Sequence, residues 1–308
     1  MGLTENPFDL MLQQSDIQIF EAPSILGLKP TGVEKLSETL LSNGLAEKIH
    51  SKNPIIQIPT LNHQYTYQRD KHTAVLNADA LNEFSLSVHN AINKNLSTNK
   101  FALVLGGDCS ILIGTMSALK ANGTFGLFFL DAHADFYEPE KSITGEAADM
   151  DLALVTGRGP DLLTNMHFAS PYVKDKHVIH IGQRDMEETR KYGSQDIRAT
   201  DIKCFDLPSI KILGVRKTID LIEEHVRDIH VDGFWIHFDT DVIADENNPA
   251  VDYRLPDGLS FEACENMLKH LINHHQIVGM SVTIFNPNLD QDRKIGLRLT
   301  ECISNIFN

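Results

Sequence analysis

Residues Gly126 to Asp135 read GLFFLDAHAD. A short, unbroken apolar run of this kind predicts a strand buried on both faces, as in a parallel sheet with helices above and below it. The run ends directly in Asp131, His133 and Asp135. Spaced at i, i+2 and i+4, these three side chains would leave an extended segment on one side. One charged residue after a strand would be an ordinary solvated turn. Two aspartates bracketing a histidine in phase point to a metal site.

The same pattern recurs downstream. Gly233–Phe238 (GFWIHF) leads into Asp239 and Asp241. Taken alone this pair could be a turn or a helix cap; beside the first motif it adds two more carboxylates at a strand mouth. Four carboxylates gathered without a cation would repel one another and raise each other's pKa, a conflict that one or two divalent ions resolve. Oxygen-rich ligation with little nitrogen favours Mn²⁺ over a thiolate-selecting zinc site. A third stretch, Val104–Gly114 (VLGGDCSILIG), places Cys109 where another strand gives way to a helix.

Between these motifs, strand-like and helix-like segments alternate. Strands are expected at 16–22, 101–105, 126–130, 177–181, 233–238 and 277–284. Helices are expected from about Thr31, where Thr31 and Glu34 have capping-box spacing, and at about 74–93, 110–120, 213–228, 260–274 and 293–306. Alternation of this sort implies an α/β fold with a mainly parallel sheet covered on both faces. Ligands of such sheets bind outside the carboxyl ends of the strands. No linker-like composition or internal repeat divides the 308 residues, so one domain over 1–308 is expected.

The net charge of −15 argues against a nucleic-acid or anionic-membrane surface. The N-terminus lacks a signal-peptide pattern and no apolar run is long enough to cross a bilayer. The four cysteines are widely spaced, as suits reduced thiols in a cytoplasm. A soluble, cytoplasmic protein is expected.

GGDCS, DAHAD and HFDTD, in this order, resemble the metal-binding signatures of the ureohydrolase superfamily, which comprises arginases, agmatinases and formimidoylglutamases. Ile181–Asp185 (IGQRD) and Phe285–Pro287 (FNP) extend the resemblance over roughly residues 100 to 290. It implies a three-layer α/β/α fold around an eight-stranded, mostly parallel sheet, and metal-hydroxide attack on a guanidino, amidino or formimino carbon. It also implies two Mn²⁺ per chain and assembly into homo-oligomers. One ion would be held by Asp131, His133, Asp239 and Asp241. The other would be held by Asp131, Asp135 and Asp239, with Cys109 at the position of the family's histidine. Asp135 would be the catalytic group that handles the proton of the attacking water. Tyr137, Thr144, Arg184 and Glu187 would contact the substrate, with Asp185 close by.

Departures from the pattern bear on the substrate. The position of the arginase proton-shuttle histidine falls on Ala148, that of the guanidinium-binding carboxylate on Ile284, and an aspartate three residues earlier on Ser281. An apolar Ile284 cannot neutralise a guanidinium that is losing its water. The reading is therefore a hydrolase of linear C–N bonds in a small guanidino- or amidino-type molecule other than arginine. A one-metal amide hydrolase that leaves the Cys109 site vacant, or a catalytically silent ligand-binding relative, are the alternatives. His237 shares the face of Asp239 and is read as a buried structural histidine, with ligation as the alternative. Thr156–Gly159 (TGRG) lacks phosphate-loop spacing and is read as a turn.

Overall fold

The computed structural model describes residues 17–60 and 64–308. The N-terminal segment whose lack of a signal pattern is noted above, and Asp16 at the head of the first expected strand, lie outside the described residues. Eight strands form one all-parallel sheet: β1 Ile17–Ala22, β2 Ile56–Gln57, β3 Phe101–Gly106, β4 Phe125–Leu130, β5 Val178–Ile181, β6 Lys203–Phe205, β7 Gly233–Asp239 and β8 Ile277–Thr283. Their order across the sheet is β2-β1-β3-β8-β7-β4-β5-β6.

Strand alternation builds two cores. Leu127 and Phe129 of β4, with Trp235 of β7 and Val104 of β3, pack beneath the helices Ala78–Leu96 and Ile111–Asn122. Phe128 and Leu130, with Ile236, Phe238 and Leu105, face Leu36 and Leu40 of the helix Leu36–Ser42 and the helices Phe261–His274 and Lys294–Phe307. Both faces are covered, which gives the α/β/α sandwich. It also explains why the central strands read as continuous apolar runs.

The order places the ends of β3, β8, β7 and β4 side by side, so the four segments with chemical character meet at one edge. The loop after β3 closes on the loop after β1, where Asp108 N–H donates to Ser24 O at 3.1 Å. A Cβ on Gly107 would stand 1.9 Å from that same carbonyl oxygen, so only glycine permits the approach.

Several expected boundaries move. Thr31 does not cap a helix; its hydroxyl donates to Lys29 O, and the chain passes through Gly32 (φ 138°) into a short 3-10 turn before Leu36. The helix expected from 74 begins at Ala78, because Ala74 and Asn77 take left-handed conformations. The segment 213–228 is interrupted at Gly214, which separates helices Leu207–Leu213 and Val215–Val226. His177 closes a 3-10 turn ahead of β5, and β8 stops at Thr283 because Ile284 is left-handed. The strands β2 and β6, two and three residues long, give too little pattern to be read from sequence.

Candidate metal centre

Segment 131–135 is not extended as the spacing suggests. A turn with Asp135 at φ 45° gathers the three side chains instead. The peptide N–H of His133 donates to Asp131 Oδ1 at 2.6 Å. In the second motif the N–H of Asp241 donates to Asp239 Oδ1 at 2.7 Å. The motifs are joined by the N–H of Ala132, which donates to Asp241 Oδ1 at 3.1 Å, and by His133 Nδ1, 2.9 Å from Asp241 Oδ2. Asp131, Asp239 and Asp241 thus each keep one oxygen on the backbone and turn the other inward.

The inward atoms fall into overlapping groups, within each of which ligand atoms lie no more than 4.8 Å apart. Asp131, His133 and Asp241 form one; Cys109, Asp131, His237 and Asp239 a second; Cys109, Asp135 and Asp151 a third. Asp131 and Asp239 are almost fully buried, and Asp131 Oδ2 has no hydrogen-bond partner. Burial first, and then their mutual repulsion, push Asp135, Asp151 and Asp239 well above the ordinary carboxylate range and Asp131 to about 7. Burial opposes a charged His133, but the attraction of Asp241 and Asp131 prevails and holds its pKa well above normal. Repelling carboxylates around an orphaned oxygen are the donor set that a hard divalent cation fits.

Cys109 belongs to the cluster, and its Sγ–H faces Asp239 Oδ2 at 2.8 Å and Thr283 Oγ1 at 3.2 Å. His237 is stacked on Phe129 and its Nδ1 lies 2.9 Å from Ser281 Oγ; burial pushes its pKa down to about 3, so the ring is neutral. His180, lowered by burial to about 4, meets the carbonyl of His133 at 2.8 Å and supports the first motif from behind.

In front of the cluster lies a cavity of about 270 Å³. Tyr137 and Thr144 line it, as do Asp135 and Asp185. Two of the residues expected to contact the substrate are placed elsewhere. Arg184 does not line the cavity: its guanidinium donates to the carbonyls of Asp241 (2.8 Å), Val242 (3.3 Å), Leu255 (3.3 Å) and Ile243 (3.4 Å), fixing the loop after β7. Glu187 is exposed and does not line the cavity, while Glu188 does, because the helix Met186–Tyr192 begins directly after Asp185 and rotates each successive side chain by about 100°.

The sequence reading missed Asp149 and Asp151, both in the loop GEAADMD, and Glu146, Asp252 and Tyr253 on the cavity wall. Asp149 accepts from the hydroxyls of Ser142 and Thr144, each at 2.7 Å, and burial raises it to about 6. The only signal was the density of acids in that loop. Ala148 and Ile284 form an apolar patch with Leu28, Val251 and Cys109.

The family model for the arginase family matches residues 32–304. The chain belongs to the arginase family. An arginase of Staphylococcus aureus is 27% identical over 305 residues, covering 96% of this chain and 98% of its own. The crystal structure of Bacillus subtilis arginase shares 25% identity and superposes with a TM-score of 0.83, covering 95% of this chain and 98% of that one. Entamoeba histolytica arginase in complex with L-ornithine gives a TM-score of 0.82 at 23% identity, covering 97% and 99%. The chain is an arginase-family hydrolase with that family's three-layer fold. Among the described residues no helix is long and apolar enough to cross a membrane.

Proposed function

We propose that this arginase-family chain is a divalent-metal hydrolase of linear C–N bonds in small cations that lack a carboxylate. The observation that carries the reading is the buried, mutually repelling set Asp131, Asp135, Asp239 and Asp241 with His133, at the floor of an acidic cavity. Asp131, His133, Asp239 and Asp241 would hold one Mn²⁺, and Asp131, Asp135 and Asp239 a second beside Cys109. Such ions make water a nucleophile near neutral pH and polarise the carbon it attacks. With its charge compensated by the cation, the buried Asp135 would accept a proton from water and return it to the departing nitrogen.

The walls support the choice of substrate. Glu146, Asp149, Asp185, Glu188 and Asp252 line the cavity. The groups that could greet a carboxylate are committed elsewhere. The Thr144 hydroxyl donates to Asp149, and Arg254 forms a two-point pair with Asp245 at 2.6 and 2.9 Å. Arginine would bring its carboxylate against this acidic rim and its guanidinium against Ile284. Tyr137 and Glu188 are the side chains placed to contact a cationic or amidine head.

The test is Mn²⁺-dependent release of urea or ammonia from a panel of guanidinoalkylamines, guanidino acids including arginine, and formimino acids. Preference for the carboxylate-free cations over arginine by about tenfold or more, roughly 1.4 kcal/mol in transition-state binding, is expected. Equal or better turnover of arginine contradicts the substrate assignment.

A further inference from the structure

We propose that Asp151 is a metal ligand, supplying a carboxylate where the family pattern has a histidine and this chain has Cys109. This rests on the metal-hydrolase reading above and extends it to a residue outside the expected ligand set.

Position and isolation carry the argument. One oxygen of Asp151, one of Asp135 and Cys109 Sγ lie within 4.8 Å of one another. Asp151 is fully buried, at 0% exposure, and neither side-chain oxygen receives a hydrogen bond of good geometry: its polar neighbours are the Asp135 carboxyl and the N–H of Leu152. A buried carboxylate pressed against a second one, with so little donor support, is strongly disfavoured unless a cation or a proton accompanies the pair.

The contacts of Asp151 within its own loop do not compensate its burial. Asp151 opens the short helix Asp151–Val155 one residue after the N-cap Met150, and its nearest backbone donor is the N–H of the adjacent Leu152. Asp149, two residues earlier, is satisfied by Ser142 and Thr144, so the other acid of the loop needs no ion. The loop itself is pinned: Ala148 N–H donates to Gly27 O at 2.9 Å and Ala153 N–H to Asp135 O at 3.1 Å. These bonds hold Asp151 against the cluster.

Cys109 fits the same arrangement. Its single S–H lies closer to Asp239 Oδ2 than to Thr283 Oγ1, so the thiol donates to and positions Asp239 while the oxygens of Asp135 and Asp151 complete the site. Oxygen ligation of this kind selects a hard divalent ion. His237 lies on the same side but is held by Ser281 and by its stack on Phe129.

The experiment loads metal-free wild type, D151N, D151E and the double variant C109H/D151N with MnCl₂ alone. Free metal is removed by gel filtration, bound Mn is counted by plasma mass spectrometry, and melting is followed with and without Mn²⁺. Wild type and D151E should retain about two equivalents. D151N should retain about one, or show at least about tenfold weaker binding at one site, and C109H should restore the lost ion. Metal-free D151N should melt no lower than metal-free wild type, since the change removes a buried carboxylate and its amide can donate to Asp135. Two wild-type-like equivalents in D151N overturn the assignment while leaving the metal-hydrolase reading intact. No Mn²⁺ uptake by wild type overturns both.

Discussion

Replacing Arg184 by methionine should destabilise the protein by about 3 kcal/mol while removing no group from the cavity. The guanidinium bond to Asp241 O is of normal length at 2.8 Å, and a charged donor in such a bond contributes about 1.5–3 kcal/mol. The bonds to Val242, Ile243 and Leu255, at 3.3 to 3.4 Å, are weaker, about 0.5 kcal/mol each. Deleting the buried, unpartnered Nε offsets about 1 kcal/mol of the loss. Lysine reaches fewer carbonyls, so R184K should recover about half. Urea unfolding can be read from Trp235, the single tryptophan, which is fully buried in β7 two turns of the pleat before Asp239. Because the anchored carbonyls flank Asp241, R184M should also weaken Mn²⁺ binding. An R184M protein within about 0.5 kcal/mol of wild type, with unchanged Mn²⁺ binding and only a raised KM, would refute the positioning role and return Arg184 to the substrate.

Other outcomes follow from the same geometry. Between pH 6.5 and 8 the metal-free protein should lose stability, because Asp131, near 7 when folded, gives up its proton there, whereas in the unfolded chain it has already done so. That one group contributes about 1 kcal/mol, His133 adds in the same direction, and D131N should flatten the slope in urea melts; an unchanged slope counts against Asp131 as its source. I284D should raise kcat/KM for guanidino substrates about tenfold, since it places a carboxylate in the apolar patch at a left-handed position that suits aspartate better than isoleucine; no gain would mean the guanidinium does not reach residue 284. G107A should cost about 3 kcal/mol or more, as its Cβ would meet the Ser24 carbonyl, and a near-wild-type melt would show that the turn can open.

The parallel sheet and the two acidic strand ends were legible because their signals are local. Continuous apolar runs such as GLFFL and GFWIHF occur where helices cover both faces, and DAHAD and DTD follow them without interruption. What escaped was set by partners distant in sequence. Arg184 reads as a free cation beside an acidic loop, yet its acceptors lie 57 to 71 residues away. Glu187 and Glu188 are adjacent, and which one faces the cavity depends on where the helix starts, the least certain feature of a sequence reading. Asp151 looks like an acid in a helix's first turn; only its complete burial beside Asp135 and Cys109 distinguishes it. Left-handed residues at Ala74 and Asn77 likewise shift a helix start that periodicity places too early.

The central claim is that the acids at the ends of β4 and β7 exist to hold metal. Calorimetric titration of metal-free protein with MnCl₂ at neutral pH tests it directly. The account predicts saturable uptake of about two equivalents with proton release, because binding discharges the raised carboxylates. Titration without saturable heat, in protein whose melting temperature Mn²⁺ leaves unchanged, would contradict it.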